Sequence, residues 1–228
     1  MIKPNTAAGT LLSAGRNRAK ARVYALDWEG HRAVLKSVSH QVRWLRWLAG
    51  RRQLDREERA YRRLAGVPGI PALVARPDPD SLVCERVEGR RLDDYPRRSL
   101  PGAVFDRLAQ VLEQAHARGV AHGDLHRKDV VVDAAGAPWL LDWATSLVRA
   151  GGRGWAREAL FRRWVEFDRR AVEKLRRRYS AAAGPGPLPP RWAPHRWLWR
   201  LRHLGRSAAS RPRGRHTHSR RAMAPGRK

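Results

Sequence analysis

Cysteine is all but missing from this chain. Cys84 is the only one in 228 residues, so no internal disulfide can form and a reducing compartment is expected. No Cys/His cluster shows zinc-ligand spacing. No apolar run approaches the ~18 residues of a membrane span, and Met1 to Gly15 lacks the continuous ~7-residue apolar stretch of a signal peptide. A cytoplasmic protein is the expectation. Acidic residues are scarce too: 21 Asp+Glu face 48 Lys+Arg, a formal net charge of +27. With 42% hydrophobic residues, however, a wholly disordered basic protein is ruled out in favour of one folded domain.

The basicity is graded along the chain. Met1 to Val148 carries 25 basic and 17 acidic residues, Arg149 to Ser180 carries 11 and 4, and Ala181 to Lys228 carries 12 and 0. The last part begins with Ala181-Ala-Ala-Gly-Pro-Gly-Pro-Leu-Pro-Pro190, a linker composition, and places a boundary at residue 181. Beyond it, Trp197, Leu201 and Leu204 share one helical face and Arg196, Arg200 and His203 another. Three readings of this tail stay open: an anionic membrane surface, nucleic acid gripped by Arg and Trp, and a terminal helix packed on the domain.

Within residues 1–180 the pattern changes twice. Thr10 to Gly15, Ala21 to Leu26 and Arg32 to Val38 are short, partly alternating runs, the last two separated by the turn Asp27-Trp-Glu-Gly30; together they predict an antiparallel meander. From Val42 to Leu64 a helical period takes over, with Trp44, Leu45, Leu48, Leu54, Ala60, Tyr61 and Leu64 as its apolar positions. The Arg-Trp-Leu-Arg-Trp-Leu stretch from Arg43 suits a membrane-facing helix as well as one packed on the sheet. Ala72 to Val74 and Leu82 to Cys84 predict a strand pair turning at Pro77-Asp-Pro-Asp80. A helix from Ala103 to Arg118 follows, closed by Gly119, then a β-branched run from Val130 to Asp133, a Gly-containing turn, a run from Pro138 to Trp143, and a last amphipathic helix from Trp155 to Tyr179.

The chemistry concentrates in Asp124, Asp129 and Asp142. Two carboxylates five residues apart in a loop, with a third at the end of a nearby strand, suit phosphoryl transfer. That reaction needs one carboxylate to orient and deprotonate a hydroxyl, and hard oxygen ligands to hold Mg²⁺ between phosphates. Upstream, Lys36 ends a Val-Leu-Lys strand and Glu57 lies on the following helix, an ion pair able to place the α- and β-phosphates.

Through Ala33-Val-Leu-Lys36, Glu57, Leu82-Val-Cys-Glu-Arg-Val-Glu-Gly89, His122-Gly-Asp-Leu-His-Arg-Lys-Asp129 and Leu140-Leu-Asp-Trp-Ala144, the sequence resembles the protein-kinase-like superfamily. The match runs from about Thr10 to Ser180. Its small size and His-Gly-Asp-Leu-His loop look most like the bacterial lipopolysaccharide-core (Kdo/heptose) kinases and the atypical RIO-type Ser/Thr kinases. The resemblance implies a two-lobed α+β fold, with a small antiparallel-sheet lobe (1–88), a compact helical lobe (89–180) and a basic tail (181–228). It implies ATP and Mg²⁺ as cofactors and places Asp124 as catalytic base, Lys36 and Glu57 as the phosphate-positioning pair, and Asp129 and Asp142 as metal ligands. His126 would sit near the transferred phosphate, and Gly15, Arg16 and the backbone of Glu85 and Val87 near the nucleotide. His122 is expected as a buried scaffold residue, Trp139, Trp143, Trp155 and Trp164 as core, and Cys84 as an apolar pocket lining without nucleophilic character.

The departures narrow the acceptor. The glycine-rich loop is replaced by Ala14-Gly-Arg-Asn-Arg-Ala-Lys-Ala-Arg-Val-Tyr24, in which Arg16, Arg18, Lys20 and Arg22 could meet phosphate by charge. Gly123 stands where regulated protein kinases have an Arg, Asp129 replaces an Asn, and no Ala-Pro-Glu follows Asp142. These favour a small or lipid-linked sugar acceptor over a protein Ser/Thr, with the enzyme cytoplasmic and peripheral on the inner membrane face. A catalytically weak scaffold for RNA or anionic lipid is the alternative from another class.

Overall fold

The computed structural model describes residues 9–14, 20–149 and 154–182. The chain begins as a five-stranded antiparallel sheet: β1 (Thr10–Ser13), β2 (Arg22–Trp28), β3 (His31–Ser37), β4 (Leu73–Asp78) and β5 (Ser81–Glu85), in the order β1-β2-β3-β5-β4. The β2–β3 hairpin turns on Glu29 and Gly30, both with positive φ (52° and 81°). That is the primed turn whose twist matches the strands, and the Gly30 amide donates to Asp27 Oδ1 at 2.8 Å.

The sheet departs from a plain meander because β5 inserts between β3 and β4. Ser81, Leu82, Val83 and Cys84 are all buried, so this strand is covered on both faces and needs a central place. β4 is left at the edge, where Pro77 costs no ladder hydrogen bond; the strand therefore runs on to Asp78 and the turn contracts to Pro79-Asp80.

Strand alternation decides what each sheet face carries. Ala33, Leu35 and Val83 form a small cluster on one face. Leu82 and Cys84 join the main core on the other, and Lys36 pairs with Leu82 in the register.

The helix between β3 and β4 has three parts: α1 (Arg43–Leu45), a π-helical turn (Arg46–Gly50) and α2 (Arg51–Arg63). α2 buries Leu54, Glu57, Ala60 and Tyr61. For the earlier part the sequence leaves two placements open, outward or packed on the sheet, and Trp44 and Leu48 are exposed. The π turn shifts the helical phase between the two apolar runs. Gly50 packs so closely that a Cβ there would lie 2.5 Å from Gln41 Oε1 and 3.1 Å from Val38 Cβ, so it is Gly50 that meets the segment just after β3.

The second half holds α3 (Gly102–Ala117), α4 (Trp155–Tyr179) and short strands β6 (Arg90–Arg91), β7 (Val120–Ala121), β8 (Val130–Val132), β9 (Pro138–Leu140) and β10 (Leu147–Val148). Gly119, at φ 74°, ends α3 and donates its amide to His116 O at 2.8 Å, satisfying a carbonyl that the helix leaves open. β6, β8 and β9 form one small sheet, and β7 pairs with β10. The architecture is a mixed α+β, kinase-like fold, with the sheet first and the long helices after.

Of the tryptophans expected in the core, Trp143 is fully buried, and Trp139 and Trp164 are partly buried. Trp155 is 85% exposed, because it occupies the first position of α4, a turn and a half before the buried stripe begins at Phe161. Among the described residues no helix is long and apolar enough to cross a membrane. The tail placed at 181–228 lies outside the described residues from 183 onward, as do Gly15, Arg16 and Arg18.

Candidate active site

Lys36 on β3 and Glu57 on α2 form a short hydrogen-bonded ion pair, and Lys36 Nζ also lies 3.1 Å from Asp142 Oδ1. The lysine thus bridges the sheet, the helix and the segment after β9. Burial opposes its charge, but Asp142 and Glu57 outweigh that and hold the Lys36 ammonium well above its ordinary value. Burial likewise raises the Glu57 carboxyl, and Lys36 opposes the rise.

Asp142 is held below the usual carboxylate range by Lys36, against a smaller opposing effect of burial. Its backbone is left-handed, at φ 63° and ψ 66°, and it precedes a short 3-10 turn, Trp143–Thr145. A short polar side chain tolerates this conformation better than most, and such strained positions cluster at functional sites.

Asp124, Leu125 and His126 lie on the loop between β7 and β8. Asp124 is partly buried, and its Oδ1 stands 3.7 Å from His126 Nε2. His126 is exposed and donates Nδ1–H to Leu125 O at 2.8 Å, which leaves Nε2 as the nitrogen turned to Asp124.

Asp129 closes this loop: His126 N donates to its Oδ2 at 2.8 Å, and its own amide donates to His126 O at 3.0 Å. Its carbonyl accepts from Leu141 N at 2.7 Å, which ties it to the residue beside Asp142. Burial first, and the nearby Asp142 next, push Asp129 up to about 6.

His122 is 1% exposed. It donates Nε2–H to Leu141 O at 3.1 Å and packs its ring on Trp143, centroids 4.9 Å apart. It thus braces the Asp142 segment from beneath.

At the far edge, Glu85 ends β5; its amide donates to Ala72 O at 2.9 Å and its carboxylate accepts from Ala72 N at 2.9 Å. The Glu85 amide is thereby committed to Ala72. Val87 follows two residues on, half-buried. Cys84 is buried in the core cluster with Tyr61, and burial pushes its thiol up to about 12, which removes it as a nucleophile.

The residue that sequence reasoning missed is Asp168. It is fully buried on α4, and its carboxylate accepts three hydrogen bonds: from His122 N at 2.7 Å, Gly123 N at 2.7 Å and His116 Nε2 at 2.9 Å. It anchors the backbone just before Asp124. The signal was present in the helical period, since Asp168 falls seven residues after Phe161 and four before Val172, inside the buried stripe where an acid needs partners.

Gly123 has φ 78°, and a Cβ there would lie 2.1 Å from Trp164 Cε3. The indole of α4 therefore lies directly against the loop.

Among the described residues no three His, Cys, Asp or Glu side chains form a complete metal cage. Asp129 and Asp142 do fit a cation that brings its own further ligands. Both offer hard oxygens, the Asp142 charge helps to raise Asp129, and Mg²⁺ characteristically takes one or two carboxylates and completes its shell with water and substrate phosphates.

No protein-family model matches the chain. Curated proteins do. The 3-deoxy-D-manno-octulosonic acid kinase of Xanthomonas oryzae pv. oryzae (strain PXO99A) is 29% identical over 118 residues, 46% of this chain and 47% of that protein. The protein of the same name from Stenotrophomonas maltophilia (strain K279a) is 27% identical over the same shares, and that of Xanthomonas euvesicatoria pv. vesicatoria (strain 85-10) is 30% identical over 83 residues, 36% and 33%. The chain spans about half the length of the first of these relatives.

Proposed function

We propose that this chain is an ATP-dependent phosphotransferase that moves the γ-phosphoryl group to a hydroxyl of a lipopolysaccharide-core sugar, of the 3-deoxy-D-manno-octulosonic acid type. The observation that carries the reading is Lys36 held between Glu57 and Asp142, with Asp124 and Asp129 on one loop that is tied to the Asp142 segment through Leu141. The names of the relatives support both the transfer and the sugar acceptor.

In this reading Lys36 binds the α- and β-phosphates, and Glu57 keeps its ammonium aimed at them. Asp142 and Asp129 would hold Mg²⁺, which when bound supplies charge neutralisation between the β- and γ-phosphates. Asp124 accepts the proton of the acceptor hydroxyl as its oxygen bonds to the γ-phosphorus, and ADP departs with the electrons of the broken P–O bond. His126, beside Asp124, would lie near the transferred phosphate, while Asp168 and His122 hold the loop. Most of the barrier reduction comes from positioning and fixed charge. In this reading the chain works in the cytoplasm at the inner membrane face, with the basic residues 181–228 as its attachment.

A radiolabelled-ATP transfer assay offering lipopolysaccharide core, a generic protein and the chain itself tests the reading. Label is expected on the sugar acceptor, lost with Asp124→Asn while nucleotide binding persists, and lost together with Mg·ATP binding in Asp142→Ala. Label on protein alone would move the assignment to a Ser/Thr kinase. An absence of both Mg·ATP binding and turnover would leave a scaffold.

A further inference from the structure

Four large apolar side chains close together in and just before α1 and the π turn are exposed: Val42 is 53% exposed, Trp44 66%, Trp47 61% and Leu48 47%. Two indoles and two aliphatic side chains this exposed on one short segment form an apolar patch of the kind that marks an interaction site.

The charge around them has one sign. Between Gln41 and Leu54 the sequence contains Arg43, Arg46, Arg51 and Arg52 and no acid. Arg46 and Arg51 share Asp80, at 3.6 and 2.7 Å. Arg43 and Arg52 are exposed, and the Arg52 guanidinium stands 6.0 Å from the centre of the Trp47 ring.

We propose that the exposed face of residues 42–52 docks on the surface of a bilayer containing anionic lipid. Indoles settle at the headgroup level, aliphatic side chains reach the acyl boundary, and arginines meet the phosphates. The other occupants fit less well. Residues 183–228 carry 12 basic and no acidic side chains, so they repel this face. A second copy brings a further +27 to the same contact. RNA would engage the arginines and indoles but has no use for Val42 and Leu48. The inference stands apart from the reaction proposed above, because it concerns binding by a surface that the phosphoryl-transfer residues do not share.

The test uses the full-length chain with phosphatidylcholine vesicles and with vesicles that also contain phosphatidylglycerol. Cys84 is the sole natural thiol, buried and pushed up to about 12, so a dye on Trp47→Cys reports this face alone. A blue shift is expected with the phosphatidylglycerol vesicles and not with phosphatidylcholine alone. Trp44→Ser with Leu48→Glu should lower vesicle partition about tenfold or more.

An unshifted dye on protein that nevertheless sediments with vesicles would overturn the proposal, as would an equal shift on neutral vesicles. So would a shift produced by single-stranded RNA, or by concentrating the protein without lipid, in place of one on vesicles. If the Trp44→Ser, Leu48→Glu variant does not fold, the dye readout decides alone.

Discussion

Gly123→Ala is the smallest change that should disturb the loop carrying Asp124, and its cost can be worked from the structure. The new Cβ would lie 2.1 Å from Cε3 and 2.3 Å from Cζ3 of Trp164, inside any tolerable contact, and these atoms belong to a rigid indole. The ring must swing away and give up its edge-on contact with Phe167, at 6.4 Å between centroids and 73° between planes. Such contacts are worth about 0.5–1.5 kcal/mol, and overpacking of this kind costs about 1–3 kcal/mol in all. Holding alanine at φ 78° adds about 1 kcal/mol. The sum, about 2–4 kcal/mol, should lower the melting temperature of a chain this size by roughly 5–15 °C. Denaturant unfolding of Gly123→Ala, Trp164→Ala and the double variant separates the parts. Removing the indole should recover the packing share, leaving a coupling of about 1–3 kcal/mol. A Gly123→Ala protein within about 0.5 kcal/mol of the parent, or strict additivity of the pair, would refute the reasoning.

Asp168→Asn should lower stability by about 2–4 kcal/mol, because an amide nitrogen would replace an acceptor oxygen facing the buried donors of His122, Gly123 and His116; an unchanged urea midpoint would contradict it. Asp129→Asn should stabilise the cation-free protein near neutral pH. The folded-state value of Asp129, about 6 against an ordinary 3.8, means that its contribution is largest below about pH 4 and is lost as pH rises from about 4 to 6, up to about 3 kcal/mol. Unfolding curves of parent and variant should therefore diverge as pH is raised across that window, and a constant gap would count against it. The Cys84 thiol, pushed up to about 12, should resist iodoacetamide at pH 8 in the native protein and react once guanidinium unfolds it; rapid native alkylation would show the burial to be wrong.

What the sequence revealed, and what it hid, divides along a physical line. Strands β2, β3 and β5, helix α3 with its Gly119 cap and all 25 residues of α4 follow from periodicity and turn chemistry, because each is decided by residues adjacent in the chain. Lys36, Glu57 and Asp142 were legible only as an ordered set. Nothing local in Val-Leu-Lys or in Arg-Glu-Glu says that β3 and α2 will meet, and the contact across 106 residues between Lys36 and Asp142 is a product of the fold. Asp168 was hidden because an acid in an Arg-rich helix looks like a solvated residue until the phase of the buried stripe is counted. The segment from Trp44 to Leu48 was legible as a helix but not as to its side. Its apolar residues recur at helical spacing and so suggest core, but periodicity records only that they share a face, and not which side of the helix that face will take. Here the π turn at Arg46–Gly50 sets the choice: with Gly50 pressed against Val38 and Gln41, the tryptophans that precede it lie on the exposed side.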